Sequence, residues 1–189
     1  MPQQNFENDN IKTRIVDGRQ EIFDCLRGKY VAMTPEENVR QMFVRHLIDG
    51  KRYPAGLMGN EIAINQNGRE RRCDTVVFDR RGCPLMIVEY KAPSVKITQE
   101  VFNQVYRYNT VLRVKYLTVC NGRQLFCCRV DYDANKAVFL KDVPCYDDLL
   151  PQTIRLKKKS NPATLWRQDC FIIEEKLSVN LRGSLLRKP

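Results

Sequence analysis

Residues Arg71 to Pro93 (RRCDTVVFDRRGCPLMIVEYKAP) constrain the chain most. Two apolar runs, TVVF and PLMIV, flank the polar cluster Asp79-Arg80-Arg81-Gly82, the pattern of a β-hairpin. Asp74 opens the first strand. Glu89 and Lys91 close the second and, two residues apart, share one face of it. With residues 80–83 as the loop, Asp79 faces Pro84 and Asp74 faces Glu89. Two carboxylates then oppose each other, with an ammonium beside them, at the end of otherwise apolar strands. Like charges across a sheet repel, so this placement needs a reason, and a bound divalent cation is one. A salt bridge at the sheet end is the plainer alternative, since exposed ion pairs are common and stabilise little.

The 189 residues suffice for one domain with a real core. Basic residues outnumber acidic ones by 32 to 22, and the net charge of +10 favours an anionic partner. They cluster at Lys51-Arg52, Arg69 to Arg72, Arg80-Arg81, Lys157 to Lys159 and Arg182 to Lys188. Two clusters flank the acidic hairpin, which makes Arg72, Arg80 and Arg81 candidate nucleic-acid contacts against the bland reading of a solvated basic surface. No run approaches the ~18 apolar residues that cross a bilayer. The segment MPQQNFENDN lacks the apolar stretch of a signal peptide, so the expected location is the cytoplasm, with no membrane partner. The eight cysteines show no CxxC spacing, and His46 is the single histidine. Free thiols are expected rather than a zinc site, and His46 is expected at the core or its boundary rather than as a ligand.

Along the chain, Ile11 to Val16, Asp17-Gly18 and Gln20 to Phe23 predict a small hairpin. Thr34-Pro35-Glu36-Glu37 predicts a helix start, with Thr34 as N-cap, and the helix is expected to run to about Ile48. Its apolar face carries Val39, Met42, Phe43, His46 and Leu47. Glu36 lies near the buried edge of that stripe and Glu37 on the side of Gln41. A strand over Glu61 to Ile64 and a turn at Asn67-Gly68 precede the hairpin. A second helix runs from Thr98 to about Arg113 with Val101, Val105, Tyr108 and Leu112 in one stripe, and Gln104 one turn before Tyr108. Val114 to Cys120 and Gln124 to Val130 pair through Asn121-Gly122, and Val138 to Leu140 adds an edge strand. Further signals are weak: a short helix at Asp147 to Leu150, a loop at Lys157 to Asn161, and a strand or helix at Trp166 to Leu177. The order gives an α/β domain with a central mixed β-sheet flanked by helices. Its expected divisions are an N-terminal extension with the small hairpin (1–32), a core (33–143) and a basic C-terminal extension packed on or trailing the core (144–189).

The chain has no GxxxxGK[ST] loop, no GxGxxG and no GxSxG, which excludes a P-loop motor and leaves no expected nucleotide cofactor. What remains is carboxylate and lysine chemistry, suited to hydrolysis assisted by a hard cation. Mg2+ takes oxygen ligands, and one or two carboxylates leave places for water and a substrate phosphate. Asp74 and Glu89 are the candidate ligands and Lys91 the positioning or activating cation, on strands that hold side chains better than loops do. Glu-x-Lys alone is a weak signal. The second copy at Glu174-Glu175-Lys176 has only Asp169 upstream and no preceding hairpin strand.

Asp74, fourteen intervening residues and then Glu89-Tyr90-Lys91 resembles the PD-(D/E)xK nuclease motif, and Gln104 to Tyr108 resembles the QxxxY helix motif of its RecB-like branch. The runs IFDCLRGKYVAMTPEENVRQ, RRCDTVVFDRRGCPLMIVEYKAPSV, ITQEVFNQVYRYN and CNGRQLF are similar to the type I restriction enzyme R-subunit N-terminal domain family, in particular to small stand-alone bacterial members. That resemblance covers about residues 20–130. It implies a restriction-endonuclease-like fold and Mg2+-dependent hydrolysis of DNA phosphodiester bonds, with Mn2+ as a substitute. Asp74, Glu89 and Lys91 then form the catalytic core, with Asp74 and Glu89 as metal ligands. Gln104 and Tyr108 support the site or contact DNA. A first-helix glutamate, Glu36 in preference to Glu37, completes the metal shell. DNA is the implied partner, together with other restriction or defence subunits. Cys73 stands where the motif's name has proline. The translocating motor of the full restriction subunit has no counterpart here, so the chain cannot itself couple ATP hydrolysis to cleavage. The rival expectation is a non-catalytic nucleic-acid-binding module on the same fold.

Overall fold

Three short antiparallel strands come first: β1 (Thr13–Val16), β2 (Arg19–Asp24) and β3 (Lys29–Ala32). The computed structural model describes residues 11–66, 68–134 and 136–150, with only the backbone of Gln66 and Tyr108. Asp17 and Gly18 both have positive φ, 49° and 72°, which turns β1 into β2 as an Asp-Gly pair should. The third strand was not expected. Its four residues are too few for a period-2 signal, and it is set by the turn before it, where the Asp24 carboxylate accepts from the Leu26 and Arg27 amides, both at 2.9 Å.

Helix α1 spans Pro35–Arg45, and the Thr34 hydroxyl accepts from the Glu37 amide at 3.0 Å. The α-helix ends three residues short of the expected Ile48, because His46–Gly50 widens into a π-turn. Val39, Phe43 and Leu47 are buried as expected, and His46 sits at the core boundary with its ring 6.0 Å from that of Phe43. Glu37 and Gln41 are buried as well, and Glu36 is only partly so, the reverse of the expected order. Gln41 donates to Glu37 at 2.8 Å, and Arg27, from the turn after β2, reaches the same carboxylate at 3.4 Å.

The main sheet has six strands in sequence order: β4 (Met58–Gln66), β5 (Arg69–Phe78), β6 (Pro84–Tyr90), β7 (Tyr116–Cys120), β8 (Leu125–Asp131) and β9 (Lys136–Leu140). All neighbours are antiparallel except β6 and β7, which run parallel through the crossover helix α2 (Gln99–Leu112). A one-turn helix, α3 (Tyr146–Leu149), follows. This is the expected mixed α/β architecture. Val39, Phe43 and Val44 of α1, with Leu47 of the π-turn, pack with Val77, Met86, Val88 and Tyr90 on one face. Val105 of α2 packs with Val76, Ile87, Leu117 and Val119 on the other. With both faces covered, β6 is buried along nearly its whole length, which is why it reads as an unbroken apolar run.

The hairpin register follows the expected frame at the site end. Thr75 pairs with Val88 and Val77 with Met86, which sets Asp74 across from Glu89. At the loop end Phe78 pairs with Pro84, and Leu85 is an extra residue. Asp79 therefore faces Cys83, not Pro84: its amide donates to the Cys83 carbonyl at 2.8 Å while its carboxylate accepts from the Arg81 and Cys83 amides. At Asn121-Gly122 the loop is likewise longer than two residues, since Cys120 pairs with Leu125 and the Asn121 side chain accepts from the Arg123 and Gln124 amides. Cys25, Cys73, Cys83, Cys120, Cys127, Cys128 and Cys145 are free thiols. Among the described residues no helix is long and apolar enough to cross a membrane. The features expected at Asn67, Lys157 to Asn161 and Trp166 to Leu177, and the basic extension beyond Leu150, lie outside the described residues.

Candidate functional site

Strands β4 and β5 turn over at Glu61 and Asp74. Met58 and Val77 pack with the α1 cluster, and Thr75 accepts from the Tyr90 hydroxyl in that same layer. Strict alternation would keep Ile62, Ile64 and Cys73 on the α1 side, yet all three pack in the α2 cluster. The inversion falls between the pairs Asn60–Thr75 and Ile62–Cys73, where Glu61 and Asp74 stand opposite each other. Glu61 takes a φ of 56° there. That left-handed conformation costs a non-glycine residue about 1 kcal/mol or more. The result is that Asp74 leaves the pleat midway along β5, level with the end of β6, where it meets Arg40 of α1.

The site draws on α1, β5, the end of β6 and α2. Asp74 Oδ2 accepts from the Tyr90 amide at 2.8 Å, and Oδ1 accepts from Arg40 Nη2 of α1 at 3.2 Å. Glu89, only 3% exposed, accepts with one oxygen, Oε1, from both Lys91 Nζ at 2.6 Å and Gln104 Nε2 of α2 at 2.9 Å. The structure thus brings together Asp74, Glu89, Lys91 and Gln104. Glu36, in the first turn of α1, is near enough for its charge to act on all three of Asp74, Glu89 and Lys91. Tyr108 lies one turn beyond Gln104, and its side chain is outside the described set.

The electrostatics are those of crowded, dehydrated carboxylates. Burial raises the Asp74 pKa, and Glu36 adds to the rise, against the Tyr90 amide and Arg40, which lower it. Burial, then the Asp74 charge, pushes Glu89 up to about 7 although Lys91 opposes the shift. Burial disfavours the Lys91 ammonium, but its bond to Glu89 outweighs that and the pKa rises. Around Asp74 and Glu89 carboxylates outnumber cations: Glu36, Glu37 and Glu61 stand beside them against Arg40, Lys91 and, on Glu37, Arg27, in a chain of net charge +10. A divalent cation fits that local excess in sign, and the donors are the hard oxygens that Mg2+ takes. Among the described residues no three His, Cys, Asp or Glu side chains gather into a ready-made cage. Glu36 adds its negative charge to the same spot from the first turn of α1.

The basic candidates are placed apart. Arg72 is exposed on β5, two residues before Asp74, with Glu70 at 3.6 Å. Arg80 and Arg81 occupy the turn at the other end of the hairpin, five strand residues or roughly 17 Å from Asp74. The structure does not bring them to the carboxylates, and Arg81 Nε donates back to Asp79 at 3.2 Å. Sequence reasoning missed Arg40 and Glu61. A charged residue at Arg40, next to Val39 on the buried side of α1, was a usable signal. Nothing in the short polar stretch around Glu61 announces an inverted strand.

The model of the type I restriction enzyme R protein N terminus matches residues 35–144. The chain belongs to that family. The matched region opens with the first residue of α1 and contains Glu36, Arg40, Glu61, Asp74, Glu89, Lys91 and Gln104. Among solved structures, a fragment assigned as an HsdR subunit of a type I restriction enzyme from Vibrio vulnificus YJ016 is similar at 19% identity and a TM-score of 0.45. The likeness covers 61% of this chain and 24% of that one, so this family member spans about a quarter of that length. No curated protein matches in sequence.

Proposed function

We propose that this chain is a metal-dependent DNA endonuclease domain on a restriction-endonuclease-like fold, hydrolysing phosphodiester bonds. The observation that carries the reading is the convergence of Asp74, Glu89 and Lys91 where β6 ends, with carboxylates in local excess over cations. Asp74 and Glu89 would hold Mg2+, or Mn2+ in its place, and Glu36 adds negative charge to the same spot. Bound there, such a cation lowers the pKa of a water and neutralises charge developing on the phosphate. Lys91, fixed at 2.6 Å from Glu89, keeps an ammonium beside the reacting phosphate, where it orients the attacking water and stabilises the transition state. Gln104 holds Glu89 from the α2 side, and Arg72, exposed on β5, would meet the DNA backbone. The family adds weight, because it is named for the R protein of restriction enzymes. DNA, and other subunits of a restriction or defence assembly, are the partners this reading implies.

The test is plasmid cleavage in Mg2+ or Mn2+ by the wild type, Lys91→Ala and Asp74→Ala. Cleavage by the wild type alone supports the reading, and equal trace activity in all three proteins sinks it. A second reading, a non-catalytic nucleic-acid-binding module, is favoured by the lack of a ready-made three-carboxylate cage among the described residues. It predicts salt-sensitive DNA binding that chelators leave unchanged, without cleavage of any substrate.

A further inference from the structure

Arg40 is 4% exposed, yet it is not neutralised by a single partner. Its Nη1 meets Glu61 Oε1 at 2.5 Å and Glu37 Oε2 at 3.5 Å, and its Nη2 meets Asp74 Oδ1 at 3.2 Å. Nε is buried without a hydrogen-bond partner among the described residues. Leaving a buried donor unmade is unfavourable, so the orientation of the guanidinium is set by what its outer nitrogens hold. They hold the two carboxylates that face each other across β4 and β5 at the strand inversion. Placed opposite without a cation between them, Glu61 and Asp74 would repel. The planar fork of arginine serves both at once, which a lysine ammonium cannot do in the same way.

We propose that Arg40 and Glu61 form a clamp that positions Asp74 for metal binding, an inference that rests on the nuclease reading above. Glu61 anchors one arm of the guanidinium, the other arm donates to Asp74 Oδ1, and the Tyr90 amide donates to Oδ2. Two donors from different directions fix the carboxylate plane and leave one lone pair on each oxygen for an outside ligand. Hydrogen bonds to a ligating carboxylate commonly govern metal affinity by 10–100-fold. The clamp also accounts for the backbone. Glycine would adopt the left-handed φ at position 61 without strain, but it carries no carboxylate to anchor Arg40. Arg40 and Glu61 are therefore positioning residues, acting through Asp74.

The experiment compares the full chain as wild type, Glu61→Gly and Arg40→Lys. It uses calorimetric titration with Mn2+ in the absence of DNA, with melting curves in chelator alongside. Glu61→Gly fits the backbone and should melt close to the wild type while binding Mn2+ about tenfold more weakly. Arg40→Lys keeps the charge and should lose affinity in the same range. Wild-type affinity in both variants, or an affinity loss only in proportion to unfolding, overturns the clamp and leaves the nuclease reading standing. No Mn2+ binding by the wild type overturns that reading and the clamp with it.

Discussion

Gln104 Nε2 donates at 2.9 Å to Glu89 Oε1, the oxygen that also accepts from Lys91 Nζ at 2.6 Å. Helix α2 is thereby tied to the end of β6 through one carboxylate oxygen, and rotation of Glu89 is blocked from both sides. Gln104→Ala removes one of the two restraints while leaving both charges in place. On the proposed reading its cleavage rate in Mn2+ should fall about 10–100-fold, less than the loss in Lys91→Ala, which would remove a charge beside the phosphate. Single-turnover rates on a labelled duplex measure both, and an unchanged rate in Gln104→Ala would remove it from the site.

Glu89 stabilises the metal-free fold least when it is ionised. Its pKa is about 7 in the fold against an ordinary 4.5, so the folded state binds more protons between those values. Stability then falls as pH rises from 4.5 toward 7, and the full cost persists above that range. Glu89→Gln cannot ionise. In chelator at pH 8 it should be more stable than the wild type by about 1–3 kcal/mol in urea unfolding, with the gap closing near pH 4. On the proposed reading, adding Mn2+ should raise the stability of the wild type alone, since the variant would lack a ligand.

The fold and half of the site were legible for a physical reason. The runs TVVF and PLMIV are buried on both faces, and burial writes itself into sequence as apolar continuity, so β5, β6 and the facing of Asp74 and Glu89 could be read directly. Gln104 was legible because one helical turn fixes its place relative to the apolar stripe of α2. Arg40 and Glu61 were not, because their pairing depends on a strand inversion that no periodicity encodes. The bulge at Leu85 was hidden likewise: it comes from Asp79 satisfying two loop amides with its side chain, a choice that several turn geometries allow. β3 was hidden by its brevity.

Arg72 and Arg81 separate two ways of being basic. Arg72 projects from β5 beside Asp74, whereas Arg81 is held at 3.2 Å by Asp79 in the distant turn. Each phosphate contact released contributes about one unit to the dependence of log affinity on log salt. Arg72→Ala should flatten that slope by about one in fluorescence anisotropy on duplex DNA, with binding weakened alike across sequences. Arg81→Ala should leave the slope unchanged.

Asp24 is fully buried and accepts from the Leu26 and Arg27 amides, the Arg27 side chain and Asn60 Nδ2. From Asn60 the chain of bonds continues: Thr75 Oγ1 donates to Asn60 at 2.6 Å, and the Tyr90 hydroxyl donates to Thr75 at 3.1 Å. Tyr90 is the residue whose amide holds Asp74, so the first sheet is wired to the backbone beneath the candidate site. Burial alone would raise the Asp24 pKa. The Arg27 amide, the Asn60 amide group and the Arg27 side chain outweigh it, and the net shift is downward. A depressed folded pKa means that this stabilisation is present above the ordinary value of 3.8 and is lost as pH falls through the folded one. Asp24→Asn keeps the shape but presents a donor where acceptors are needed, and leaves Arg27 with Glu37 as its remaining ion-pair partner. Urea unfolding at pH 7 should show a loss of about 2–4 kcal/mol. The gap to the wild type should narrow as the pH is taken below 3.8, because the wild type then loses the same charge. A gap that stays constant across that range would mean that the Asp24 charge does not stabilise the junction.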